Sequence, residues 1–165
     1  MKHLFCLFSA TALLLTGCSL FENWGKRAAS LSIHEQVPAN LPSGRVRIVE
    51  LPDLDLKVPV DPFPSLTQFQ IGSAEVKPTI GGSALLLRFD GHGGRVLQQV
   101  TTQSRGKYLV FFLNERPVSA WLVDHTITNS EFLLEGFFTD EEAKEAARSF
   151  SDQGRKRVGK YSNVW

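Results

Sequence analysis

The apolar positions of this chain fall into blocks whose spacing changes along its length. Leu4 to Leu15 is almost continuously apolar behind a charged Lys2, and the run stops at small residues before Cys18. A run of about 12 residues is too short to span a bilayer, which takes roughly 20, but it has the length and flanks of a secretory signal peptide. Residues 1–17 are therefore expected to be a removable leader. Residues 19–43 show no sustained apolar period and contain Pro38 and Pro42, so the stretch 18–43 reads as a tether. Arg45 to Glu50 alternates charged and apolar positions, and Leu56 to Val60 does the same around Lys57 and Pro59. Both predict half-buried or edge strands. Asp61 to Phe69, with Pro62 and Pro64, reads as a turn.

Further along, Ala84 to Phe89 is a short apolar run, expected to be a strand ended by Asp90-Gly91-His92-Gly93-Gly94. Val96, Leu97 and Val100 then mark one face of a helix from Arg95 to about Ser104, which Gly106 terminates. Leu109 to Leu113 is apolar at every position, the pattern of a strand buried on both faces. A turn at Asn114-Glu115-Arg116-Pro117 leads into a strand over Val118 to Val123, and Phe132 to Phe138 predicts another. Thr139 and Glu142 have the spacing of a capping box, and Ala143, Ala146, Ala147 and Phe150 form the buried stripe of the helix it opens. The order strand, helix, strand, strand, strand, helix predicts an α+β fold. We expect a small two-layer sandwich, with a mixed or antiparallel sheet and two helices on one face. The domain is placed at 44–152. The segment 153–165 holds Arg155, Lys156, Arg157 and Lys160 and reads as a flexible basic tail.

Composition changes the picture mainly at the N-terminus. The chain has 18 Lys+Arg against 17 Asp+Glu, and loss of Lys2 with the leader leaves a neutral mature protein. A phosphate-binding stripe would leave a basic surplus, so nucleic acid is excluded as a partner. Leu15-Thr16-Gly17-Cys18 looks like the bacterial lipobox, with cleavage between Gly17 and Cys18 and acylation of the Cys18 thiol. Several acyl chains hold a protein firmly on a bilayer where one is marginal. Ser19, where enteric bacteria use Asp for inner-membrane retention, points to the outer membrane rather than the inner one. Cys6 leaves with the leader, so no thiol remains for a disulfide, a metal or a nucleophile. Apart from the covalent lipid on Cys18, no cofactor is expected.

Candidate catalytic groups do not assemble into a set. The glycine-rich Asp90 to Gly94 lacks the G-x-S-x-G elbow that would accompany an oxyanion loop, so it reads as a turn. His34, His92 and His125 lack metal-ligand spacing and read as surface residues, with no metal site expected. Glu141, Glu142 and Glu145 favour the positive end of their helix's dipole. No enzyme activity is expected.

The second half carries a resemblance. Gly106-Lys107-Tyr108-Leu109-Val110-Phe111-Phe112-Leu113-Asn114, then Val118-Ser119-Ala120, Ile127, and Leu134-Glu135-Gly136-Phe137-Phe138-Thr139-Asp140-Glu141-Glu142-Ala143 resemble the head of the first periplasmic domain of SecD, a preprotein export subunit. The similarity covers about residues 70–152. It departs where Asn114-Glu115 replaces the family's Asp-Gly turn and Trp121 replaces a proline. SecD also carries transmembrane helices, whereas the mature chain here shows no span. The resemblance implies a soluble head that contacts polypeptide, here on a lipid tether, with protein or peptide partners and a possible link to the export machinery. An extended peptide would add to a sheet edge or enter an apolar groove, and Trp121 and Phe132 are the candidate contacts. The expected function is thus a non-enzymatic, envelope-anchored interaction module. The alternatives are a structural lipoprotein docked to one envelope complex and a small hydrolase built on His92 or His125.

Overall fold

The chain is described by a computed structural model over residues 28–42 and 44–162, with side chains as far as Lys160. The leader, Cys18 and the first part of the expected tether lie outside the described residues. Nine strands and two helices follow in the order β1 (Leu31–Glu35), β2 (Arg47–Leu51), β3 (Leu56–Val60), β4 (Leu66–Thr67), β5 (Ile71–Thr79), β6 (Gly82–Phe89), α1 (Gly91–Gln103), β7 (Tyr108–Leu113), β8 (Arg116–Leu122), β9 (Glu131–Leu134) and α2 (Asp140–Ser162). They form three antiparallel sheets: β4-β1-β7-β8, β5-β6-β9 and the β2-β3 hairpin. The fold is α+β, and β6, α1, β7, β8, β9, α2 keep the order expected from the sequence.

β7 explains the architecture. Leu109, Phe111 and Leu113 project into the main core, while Val110 and Phe112 project into a second core closed by Val49, Leu51, Val58 and Val60 of the β2-β3 hairpin. An unbroken apolar strand needs cover on both faces, and this chain supplies helices and a sheet on one side and a hairpin on the other. The main core also takes Leu31 and Ile33 of β1, Leu85 and Leu87 of β6, Leu97 of α1 and the four predicted residues of α2. Phe150 is fully buried, a transfer worth about 1.5–3 kcal/mol.

Several expectations are corrected. The tether contains β1, which lies between β4 and β7 at the middle of its sheet. Its five residues earn burial from partners 30 and more positions away, which no local period reveals. β5 was not expected at all: Gly72 and Pro78 break its pattern, and Pro78 is tolerated because β5 is an edge strand. The turn at 61–69 contains β4, whose Leu66 is fully buried. The basic tail is not a separate segment, since α2 runs on to Ser162. Its later turns are fastened to β5: Ser151 Oγ donates to the Ala74 carbonyl and accepts from the Ala74 amide, both at 3.0 Å. The Arg157 guanidinium donates to the Ile71 carbonyl. The strand expected over Phe132 to Phe138 stops at Leu134.

α1 begins four residues before its expected start. Asp90 caps it, accepting from the His92 and Gly93 amides at 3.1 and 2.7 Å, so the glycines read as a turn are its first turn. The reason is close approach rather than flexibility. A Cβ on Gly93 would lie 2.6 Å from the Gln70 carbonyl oxygen, and one on Gly94 2.1 Å from Ser130 Oγ. At α2 the capping box forms as predicted, with Thr139 N–H donating to Glu142 at 2.7 Å and Glu142 N–H donating to Thr139 Oγ1 at 3.2 Å. The Thr139 N–H bond, more than the Arg116 guanidinium at 2.8 Å, holds the Glu142 carboxyl below the usual carboxylate range. The β7-β8 turn is a two-residue loop with Asn114 and Glu115 both at positive φ, 50° and 66°. That geometry matches the twist of the paired strands.

Candidate functional site

Two sheets end beside one another. Among the described residues β8 is the last strand of its sheet and β9 the last of its own, so each presents a free edge there. Which residues face it follows from the ladder. The Ile33 and Glu35 carbonyls accept from Ser65 and Asp61 on the far side of β1. Their cross-strand neighbours Phe111 and Leu109 therefore turn their peptide groups toward Ser119 and Trp121 of β8. By the two-residue alternation, Ala120 and Leu122 direct N–H and C=O to the free edge. On the other sheet, Phe89 N–H donates to Ser130 C=O, and the same parity pairs Leu87 with Phe132 and Leu85 with Leu134. The peptide groups of Leu133 are left pointing outward.

The two edges are joined at one end, where Phe137 N–H donates to the Val118 carbonyl at 2.8 Å. Gly136 permits that approach, since a Cβ there would sit 2.5 Å from the Val118 oxygen. From this junction two contiguous clefts open along the edges, of about 380 and 580 Å³. Trp121, Phe132, Leu133 and Glu135 line both. The sequence-predicted pair thus forms one feature: the Trp121 and Phe132 rings meet edge to face at 5.2 Å, and Phe132 stacks on the buried Phe111 at 4.8 Å. The aromatics are the rim of the core and the floor of the clefts at once. Around them Leu54, Leu122, Leu133 and Phe137 are 40–47% exposed.

Leu133, Phe137 and Glu135 were not singled out from the sequence. The available signal was parity: Phe132, Leu133 and Leu134 are apolar on both faces of a short strand, although only one face is buried. Leu54 could not be found, because a separate hairpin delivers it.

The remaining candidates do not converge. His34 is buried rather than at the surface. Its Nδ1 donates to the Asp61 carbonyl at 2.8 Å and its Nε2 accepts from Ser32 Oγ at 3.0 Å, with Phe112 edge-on at 5.0 Å. Burial is the main cause that pushes its pKa down, and nearby Arg47 adds to it. His92 is exposed in the first turn of α1. His125 lies 2.5 Å from Asp124 on the surface, and its hydrogen bond lowers the Asp124 pKa. Neither His92 nor His125 hydrogen-bonds a serine among the described residues. No group of three His, Cys, Asp or Glu is placed to hold a metal among them either.

The fold is an antiparallel α+β domain with an aromatic-floored cleft between two sheet-end strands. The family model of the SecDF P1 head subdomain matches residues 48–155, and the chain belongs to that family. β1 lies outside the matched residues although it sits inside the sheet. Among the similar solved structures are two of SecDF. SecDF, described as a membrane component that enhances protein export, is 21% identical with a TM-score of 0.58, over 76% of this chain and 63% of that one. SecDF in a super-membrane-facing form is 23% identical with a TM-score of 0.56, over 76% of this chain and 19% of that one. The chain therefore spans less than two thirds of each, and the likeness is one of fold. Among curated proteins none matches the sequence.

Proposed function

We propose that this chain is a non-enzymatic protein- or peptide-binding module of the cell envelope, anchored by lipid on Cys18 and working alongside protein export. The observation that carries the binding role is the pair of free edges flanking the Trp121–Phe132 floor. Unpaired peptide groups give an extended ligand affinity, and the aromatics give it apolar contact. Membership of the SecDF P1 head family supports the link to export, since SecDF is described as enhancing it. Among the described residues no helix is long and apolar enough to cross a membrane, and the lipid on Cys18 would supply the attachment. Inner and outer membrane both fit this role, with Ser19 favouring the outer.

The test is binding of a permanently unfolded polypeptide, reduced and alkylated, to the full chain. Trp121→Ala is expected to weaken it about tenfold, the scale of an aromatic contact residue. Phe132 supports Phe111, so its truncation also disturbs the core. Leu133→Ser, which touches only the exposed rim, should weaken binding with the melting temperature unchanged. If neither variant moves the affinity, the clefts are not the binding site. If instead the chain ignores unfolded polypeptide and co-purifies with one stoichiometric envelope protein, it is a docking lipoprotein.

A further inference from the structure

The composition of the clefts specifies more than "polypeptide". Among the described residues their ionisable lining consists of Glu131, Glu135 and His125, with no Lys or Arg. Glu131 is paired with Arg88 at 2.9 Å on the outer face of the sheet. Glu135 is exposed, lines both clefts, and has no ion-pair partner among the described residues. Resting on the binding role above, we infer that the occupant is an extended segment alternating apolar with basic residues, which adds as a strand to the free edge beside Trp121 and Phe132.

The alternation follows from the pleat. Along β9, Phe132 and Leu134 face the core while Leu133 faces outward, and Glu135, just past the strand's end, is exposed beside it. A strand laid against this edge places every second side chain over the Trp121–Phe132 floor, where apolar groups are favoured. The intervening side chains lie beside Leu133 and Glu135. A lysine or arginine suits both, packing its methylene stem on Leu133 and carrying its charge to Glu135. A glutamate in that position meets like charge. Main-chain bonds come from Ala120 and Leu122 on β8 or from Leu133 on β9.

Three labelled octapeptides and the full chain test this by fluorescence anisotropy: alternating Val/Lys, alternating Val/Glu, and Val/Lys with the amides along one edge N-methylated. The Val/Lys peptide is expected to bind tightest. Glu135→Gln should weaken it about threefold, within the range of an exposed ion pair. N-methylation should weaken it about tenfold or more, as loss of several main-chain hydrogen bonds requires. Equal binding of Val/Lys and Val/Glu, or indifference to N-methylation, overturns this inference while leaving the binding role intact, provided the unfolded polypeptide still binds through Trp121. Failure of every peptide and of the unfolded polypeptide removes both. A concentration-dependent dimer abolished by Leu133→Lys would also overturn it, by showing that a second copy fills the edge.

Discussion

Gly154 offers the sharpest test of how α2 is held. In an isolated helix, Gly→Ala is stabilising by about 1 kcal/mol, because alanine loses less backbone freedom on folding. Here a Cβ on Gly154 would lie 1.9 Å from the Gly72 carbonyl oxygen and 2.8 Å from its carbon, roughly 1.5 Å short of ordinary contact in a close-packed interior. The obstacle is backbone of β5, so no rotamer relieves it. α2 would have to retreat from β5 and stretch the bonds of Ser151 to Ala74. Overpacking costs about 1–3 kcal/mol where side chains can yield, and a rigid obstacle belongs at or above the top of that range. After the propensity gain, Gly154→Ala should lose about 2 kcal/mol. For a domain of this size that is a fall of roughly 4–8 °C in the thermal midpoint. Gly159→Ala, in the same helix, places its methyl with no atom of the described residues within 4 Å and should leave the midpoint unchanged or raise it. The assay is thermal unfolding of the full chain followed by circular dichroism at the helical band. A midpoint for Gly154→Ala at or above wild type would show that α2 does not press on Gly72, and that residues 153–162 are the loose tail their composition describes.

Two further outcomes can be checked. The lowered pKa of His34 means that the unfolded chain takes up a proton near the ordinary value of 6.5 while the folded chain resists it. Its stabilising contribution is therefore complete above that value and is lost as pH falls below it. Urea midpoints should drop more between pH 7.5 and 5.5 for wild type than for His34→Gln, and equal drops would refute the assignment. Cys18→Ser should release the protein from the membrane fraction and abolish lipid labelling, whereas unchanged fractionation would sink the lipid anchor.

β3 was legible to its boundaries because Val58 and Val60 alternate with Lys57 and Pro59. The α2 stripe was legible because Ala143, Ala146, Ala147 and Phe150 recur at helical spacing. β1, β4 and β5 were not, since their burial depends on strands and helices distant in the chain. The glycines at 93 and 94 misled for a related reason: glycine marks both a turn and a close approach, and only the position of Gln70 and Ser130 distinguishes them. Of the candidate site, Trp121 and Phe132 could be named as aromatics on strands, but each alone is an ordinary core residue.

What the sequence determined by itself was local. It set the periods of its strongest strands and helices, the caps at their ends, the both-faced burial of Leu109 to Leu113, and the resemblance that gave the family. The tertiary structure decided which strands stand at the sheet edges and which peptide groups remain unpaired there. It also decided that Leu54, Trp121, Leu133 and Glu135 share one surface. Edges and clefts arise from the order in which strands pair, and pairing is settled by contacts far apart in the chain, so no window of residues contains them.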